Sequence, residues 1–158
     1  RPPRSTLFPY TTLFRSLANK YRLPPRIKDF IKEHHGTQIT RYQYSRALEK
    51  ANHDHSKVDI ELFRYPGPKP RSKETALVML ADGCEARARA EIPKTSDDLV
   101  NLVKSIFDYC QKEGQLDKTN MTLKDLRLAQ ESFVKTLSNT YHPRIQYPEE
   151  KPEQKSKS

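Results

Sequence analysis

The chain has 158 residues, with 29 Lys and Arg against 20 Asp and Glu, 34% hydrophobic residues, 12 Pro, 2 Cys and no Trp. That length suits one domain with a thin core, and no run approaches the roughly 18 apolar residues of a membrane span, so a soluble domain without membrane contact is expected. The net charge of +9 is dispersed, with no basic block and no aromatic-basic stripe, which argues against a nucleic-acid polymer as partner.

Residues 1–16, RPPRSTLFPYTTLFRS, carry three prolines and show neither helical nor strand periodicity. Residues 6–16 are similar, residue for residue, to one reading frame of a widely used sequencing-library adapter. Residues 1–16 are therefore set apart as an artefactual leader, with domain patterning over 17–147. The Pro24-Pro25 break predicts a helix from Pro25, where a missing N–H costs nothing. Ile27, Phe30 and Ile31 form its apolar stripe, and it stops at Gly36. A further helix is predicted from Thr40 to about Ala51, with Tyr44, Ala47 and Leu48 inward. Residues 52–59 read as a polar loop, and residues 65–70, YPGPKP, as a connector that three prolines bar from helix or sheet.

Three clearer helices follow. Ser72 caps one that runs to about Ala90, with Ala76, Met79, Leu80, Gly83 and Cys84 on its buried stripe. Thr95-Ser96-Asp97-Asp98 supplies a capping box for the next, where Leu99, Leu102, Val103, Ile106 and Cys110 recur at helical spacing until Gly114. Thr122 to Asp125 starts the last, with Leu126, Ala129, Phe133, Val134, Leu137 and Tyr141 inward. Residues 148–158 are Pro, Glu, Lys, Gln and Ser and read as a disordered tail. Cys84 and Cys110 fall within the apolar stripes, as small core residues of a reduced domain. The fold class is all-α.

Two features carry possible chemistry. His34-His35 stands at a helix end, where adjacent imidazoles can converge on one metal ion or simply cap carbonyls. Asp82 lies mid-helix beside an apolar stripe, where a carboxylate is costly unless it is paired or metal-bound. Metal ligation and an ion pair with Arg87 or Arg89 both fit it. The N–H groups around Ser72, with Lys69 and Lys73 nearby, suit a substrate phosphate, or ordinary capping with solvated lysines.

Several blocks stand in order along the chain: Glu33-His34-His35-Gly36-Thr37, Phe63 to Pro70, Ser72 to Ala76, Met79 to Asp82, Thr122 to Leu126, Phe133 to Leu137 and Tyr141 to Ile145. Together they resemble the C-terminal half of the HD domain of bacterial seven-transmembrane HD phosphohydrolases. The resemblance implies a truncated HD helical bundle. It also implies a metal-dependent phosphodiesterase that opens cyclic di-AMP to the linear dinucleotide at the cytoplasmic face of the inner membrane. It gives His34, His35 and Asp82 as metal ligands and a binuclear centre of iron or manganese, matching the preference of imidazole and carboxylate donors.

The family's early histidine and its defining His-Asp pair belong upstream of Glu33, where this chain has the adapter-like residues. The one His-Asp dipeptide, His53-Asp54, falls in the polar loop and reads as a decoy. A fragment with an incomplete metal shell and negligible hydrolysis is therefore expected. A non-catalytic helical module that binds a nucleotide or a protein is the alternative.

Overall fold

Hydroxyl caps fix where the three long helices begin. Ser72 Oγ accepts from the Thr75 amide at 3.3 Å. Thr95 and Asp98 exchange bonds between side chain and backbone, as do Thr122 and Asp125. Each arrangement satisfies amides that the first helical turn leaves unpaired. The computed structural model describes residues 9–141, so the tail predicted from residue 148 lies outside the described residues. Six helices follow in order: α1 Pro9–Lys20, α2 Pro25–Glu33, α3 Arg41–Lys50, α4 Lys73–Glu91, α5 Ser96–Lys112 and α6 Leu123–Tyr141. Short 3₁₀ turns at His55–Lys57 and Ile60–Phe63 lie between α3 and α4. The described residues contain no strand, only an isolated bridge between Ile39 and Arg64. The all-α architecture is as expected.

The core lies between α4, α5 and α6. Met79, Leu80 and Cys84 of α4 meet Val103, Phe107 and Cys110 of α5, with Leu126 and Ala129 of α6 closing one side. Burial pushes both thiols, Cys84 and Cys110, up to about 12. In the unfolded chain a thiol ionises near its ordinary value of about 8.5. The two cysteines therefore leave stability intact below that value and reduce it progressively as pH rises toward 12. Denaturant titrations across this range should show the alkaline loss, and a Cys84→Ala, Cys110→Ala double variant should shrink it. An alkaline limb identical in both proteins would refute the assignment.

One expectation is corrected here, and one segment without periodicity in its sequence takes a helical form. Residues 9–16 are helical, and α1 crosses residue 16 without a break, burying Ala18 against α2. Leu13 and Leu17, four apart, share a helical face, and the Arg15 guanidinium donates to the carbonyls of Lys32 (3.1 Å) and Gly67 (2.5 Å). Ile27, predicted to face inward, is 44% exposed, because α1 and α4 cover other sides of α2. With Leu13 and Phe14, also exposed, it leaves the first two helices less covered than the three behind them.

Candidate functional site

The turn that leaves α2 is held by polar bonds. Glu33, only 2% exposed, accepts from the Arg71 amide (2.9 Å), the Arg71 Nε (2.7 Å) and the Thr75 hydroxyl (2.8 Å). Burial alone would raise its pKa, but the bonds from Arg71 and Thr75 outweigh that and hold it below the ordinary value. Gly36 follows at φ +53°, a left-handed conformation that glycine takes without steric cost. A Cβ there would run into the Gln115 amide and Met79 Cε. Buried Gln115 then clasps Thr37, accepting from its amide at 3.1 Å and donating to its hydroxyl at 2.9 Å. The Thr40 amide and hydroxyl both donate to the Phe63 carbonyl, and the Tyr65 amide donates to the Gln38 carbonyl. This diverts the Thr40 hydroxyl from the α3 cap, which has no side-chain bond.

Held this way, His34 and His35 lie ring to ring, with centroids 3.9 Å apart. His34 Nδ1 donates to the Phe30 carbonyl at 2.8 Å. In the neutral ring that leaves Nε2 as the acceptor or ligand atom. His35 stacks on Tyr65 at 4.3 Å, and its Nδ1 is 3.6 Å from Asp82 Oδ2. Burial, reinforced by His34, pushes the His35 pKa down to about 4 against the opposing pull of Asp82. Asp82 is not buried as the sequence suggested: its side chain is 51% exposed. Neither arginine pairs with it, since Arg87 bonds Glu91 and Arg89 bonds Glu85.

A separation of 3.6 Å is too long for a hydrogen bond. Bonds of 2.0–2.2 Å set two donors about 3.3–3.6 Å apart on a tetrahedral ion and about 2.8–3.1 Å apart on a six-coordinate one, so the two atoms need close by only about half an ångström to share an iron or manganese ion. The His35–Asp82 pair therefore fits a shared metal ion. Among the described residues, however, no three His, Cys, Asp or Glu side chains come together as a metal-holding group.

The residues expected around a phosphate have partners inside the chain. Lys69 Nζ donates to the carbonyls of Glu113 and Gly114, at the end of α5. Ser72 caps α4 and accepts from Arg26. Lys73 pairs with Asp125 at 2.8 Å and pulls that carboxyl down to about 2. These are the ordinary capping and surface roles. In the polar loop, Asp54 caps Ser56 and pairs with Lys57, and His55 meets the Tyr44 hydroxyl, so His53-Asp54 contributes nothing near Asp82. Sequence reasoning gave no role to Glu33, Tyr65 or Gln115. Their partners lie elsewhere in the sequence, and the only local signal was that Glu33 directly precedes two histidines.

The chain is 32% identical over 146 residues to the cyclic-di-AMP phosphodiesterase PgpH of Bacillus subtilis (strain 168), covering 92% of this chain and 20% of that protein. It is 30% identical over 148 residues to PgpH of Listeria monocytogenes serotype 1/2a (strain 10403S), covering 94% of this chain and 20% of the relative. The solved HD domain of L. monocytogenes phosphodiesterase PgpH in complex with cyclic-di-AMP aligns with a TM-score of 0.78 and 28% identity, over 91% of this chain and 66% of that one. This chain is a relative of the PgpH HD domain. No family model matches it. It spans about a fifth of the length of the PgpH proteins it matches. A matched span of 148 residues in a chain of 158 must include residues 11–148, so it also runs across residue 16. No helix among the described residues is long and apolar enough to cross a membrane.

Proposed function

We propose that this chain is part of an HD-type, metal-dependent phosphodiesterase whose substrate is cyclic di-AMP, opened to the linear dinucleotide. The observation that carries the reading is the His35–Asp82 pair, 3.6 Å apart, in a chain related to PgpH. The longer protein would present the domain at the cytoplasmic face of the inner membrane. His35 and Asp82 would hold the ion, with His34 offering Nε2 beside them. A divalent ion such as iron or manganese would supply water activation and offset charge on the displaced oxygen. The chain's own part is positional. Tyr65 supports the His35 ring from one face, and the Phe30 carbonyl sets the His34 tautomer. Three ligands are too few for a binuclear centre, so this chain alone is expected to hydrolyse nothing.

The test combines Mn²⁺ titration with product analysis. The chain should bind Mn²⁺, and His35→Ala and Asp82→Ala should each weaken binding on the order of tenfold or more, since even outer-shell changes cost that much. Incubation with cyclic di-AMP should yield no linear dinucleotide. Equal Mn²⁺ affinity in all three proteins would remove the ligand assignment. Metal-dependent product formation that Asp82→Ala abolishes would overturn the expected inactivity.

A further inference from the structure

We infer that the pocket between the start of α5 and the end of α6 is the seat of residues 142–147 of this same chain, with Ile145 filling it. The pocket encloses about 250 Å³, with Pro93, Lys94, Leu99, Ser138 and Tyr141 among its lining residues. A cavity of about 150 Å³ already takes a benzene ring, so a branched aliphatic side chain fits this one. Leu99, only 3% exposed, gives the pocket an apolar floor. Tyr141 is the wall from which the rest of the chain departs.

Length, pattern and charge each favour this segment as the occupant. Of residues 142–158, only Ile145 and Tyr147 carry large apolar side chains. Pro143 bars α6 from continuing, and a residue before a proline favours extended backbone, which applies to both His142 and Tyr147. Residues two apart in an extended segment share a face. Ile145 and Tyr147 therefore point one way, and Arg144 and Gln146 the other. Four residues span at most about 14 Å, so Ile145 reaches only the surface around Tyr141, where the pocket lies. Glu149 and Glu150 come next, and Lys94 stands at the pocket to meet them. Just before Pro93, Ile92 is 64% exposed and holds a left-handed conformation at φ +48°. That backbone is an outlier for a β-branched residue, and burial of its side chain offsets the cost. Tyr147, on the same face as Ile145, supplies that cover. The domain patterning over 17–147 ends where this segment does. A tether this short gives an effective concentration on the order of millimolar, which favours the chain's own segment over that of a second copy.

The experiment is paramagnetic relaxation on the full chain carrying Gln146→Cys and a nitroxide. Gln146 faces outward, and Cys84 and Cys110 are buried, so the label goes to residue 146 alone. Amides of residues 95–99 and of Ser138 should broaden strongly, while those around Glu33, beside the opposite end of α4, should not. Ile145→Asp should lower the docked fraction about tenfold or more, because it removes the burial of a large aliphatic side chain. Ser138→Phe, which fills the pocket from α6, should do the same. Neither position belongs to the closed core, so both variants should keep the far-UV circular dichroism of the parent chain. Broadening that survives in both variants would show that the pocket is not the seat. Absent or uniform broadening in the labelled chain would show that the segment does not dock. Broadening of an isotope-labelled chain by a spin-labelled second copy would give the pocket to a partner copy and overturn the proposal.

Discussion

Phe107→Ala is expected to lower the stability of the chain by about 3–5 kcal/mol, the usual cost of emptying a large aromatic site in a closed core. Phe107 is 0% exposed. Its ring meets Phe133 edge to face at 5.7 Å and 67°, so the substitution removes a packing partner from α6 as well as apolar area from α5. Against a total of about 5–15 kcal/mol for an ordinary domain, such a loss would leave much of the population unfolded. Phe107→Leu should cost less than half as much, because most of the volume is kept. Urea unfolding measures both. A loss below about 1.5 kcal/mol for the alanine variant would mean that the α4–α6 core does not carry the fold.

Glu33→Ala should come next, at about 2–4 kcal/mol. It removes the acceptor of three hydrogen bonds and leaves the Arg71 amide without its partner, while the Thr75 hydroxyl keeps the Ser72 carbonyl at 3.2 Å. The figure sits below that for a fully buried ion pair because the Arg71 side chain is largely in water. The effect should also reach the site. Glu33 ties the end of α2 to the start of α4, and the histidines directly follow it. Mn²⁺ affinity should therefore fall in Glu33→Ala and recover in part in Glu33→Gln, which keeps one acceptor. If stability falls while Mn²⁺ affinity holds, the tether does not position His35.

Much of the architecture was legible because its causes are local. Ser72, Thr95 and Thr122 bond amides three residues ahead, and short-range chemistry of that kind can be read from a sequence. Periodicity placed Met79, Leu80, Cys84, Val103 and Cys110 in the core for the same reason. It missed Phe107, because Ile106 and Phe107 both lie near the inward face and spacing alone does not choose between them. Ile106 is half-buried beside Gly83, while Phe107 fills the centre. Asp82 was misjudged in the same way: proximity to an apolar stripe in sequence did not show that its side chain leaves the packed face. The clasp of Thr37 by Gln115 spans 78 residues, and no window of sequence contains both partners. Residues 9–16 showed no periodicity because Pro9 and two threonines mask a short helix that leans on contacts with α2 and the Gly67 carbonyl.

α3 has no buried residue. Its first turn and the segment before it build the outer wall of a groove beside His35 and Asp82, and Tyr44 against Phe63 is among its few apolar contacts. Such an element opens on its own at a small fraction of the global unfolding free energy. The two sides of the groove thus differ in stiffness: one belongs to the core, and the other breathes over it. Amide exchange should be fast through Tyr42–Glu49 and slow at Thr40 and Tyr65, whose amides are tied to Phe63 and Gln38. A ligand bridging the two walls would slow the α3 amides most, so the weakest part of the fold would be the one that reports occupancy.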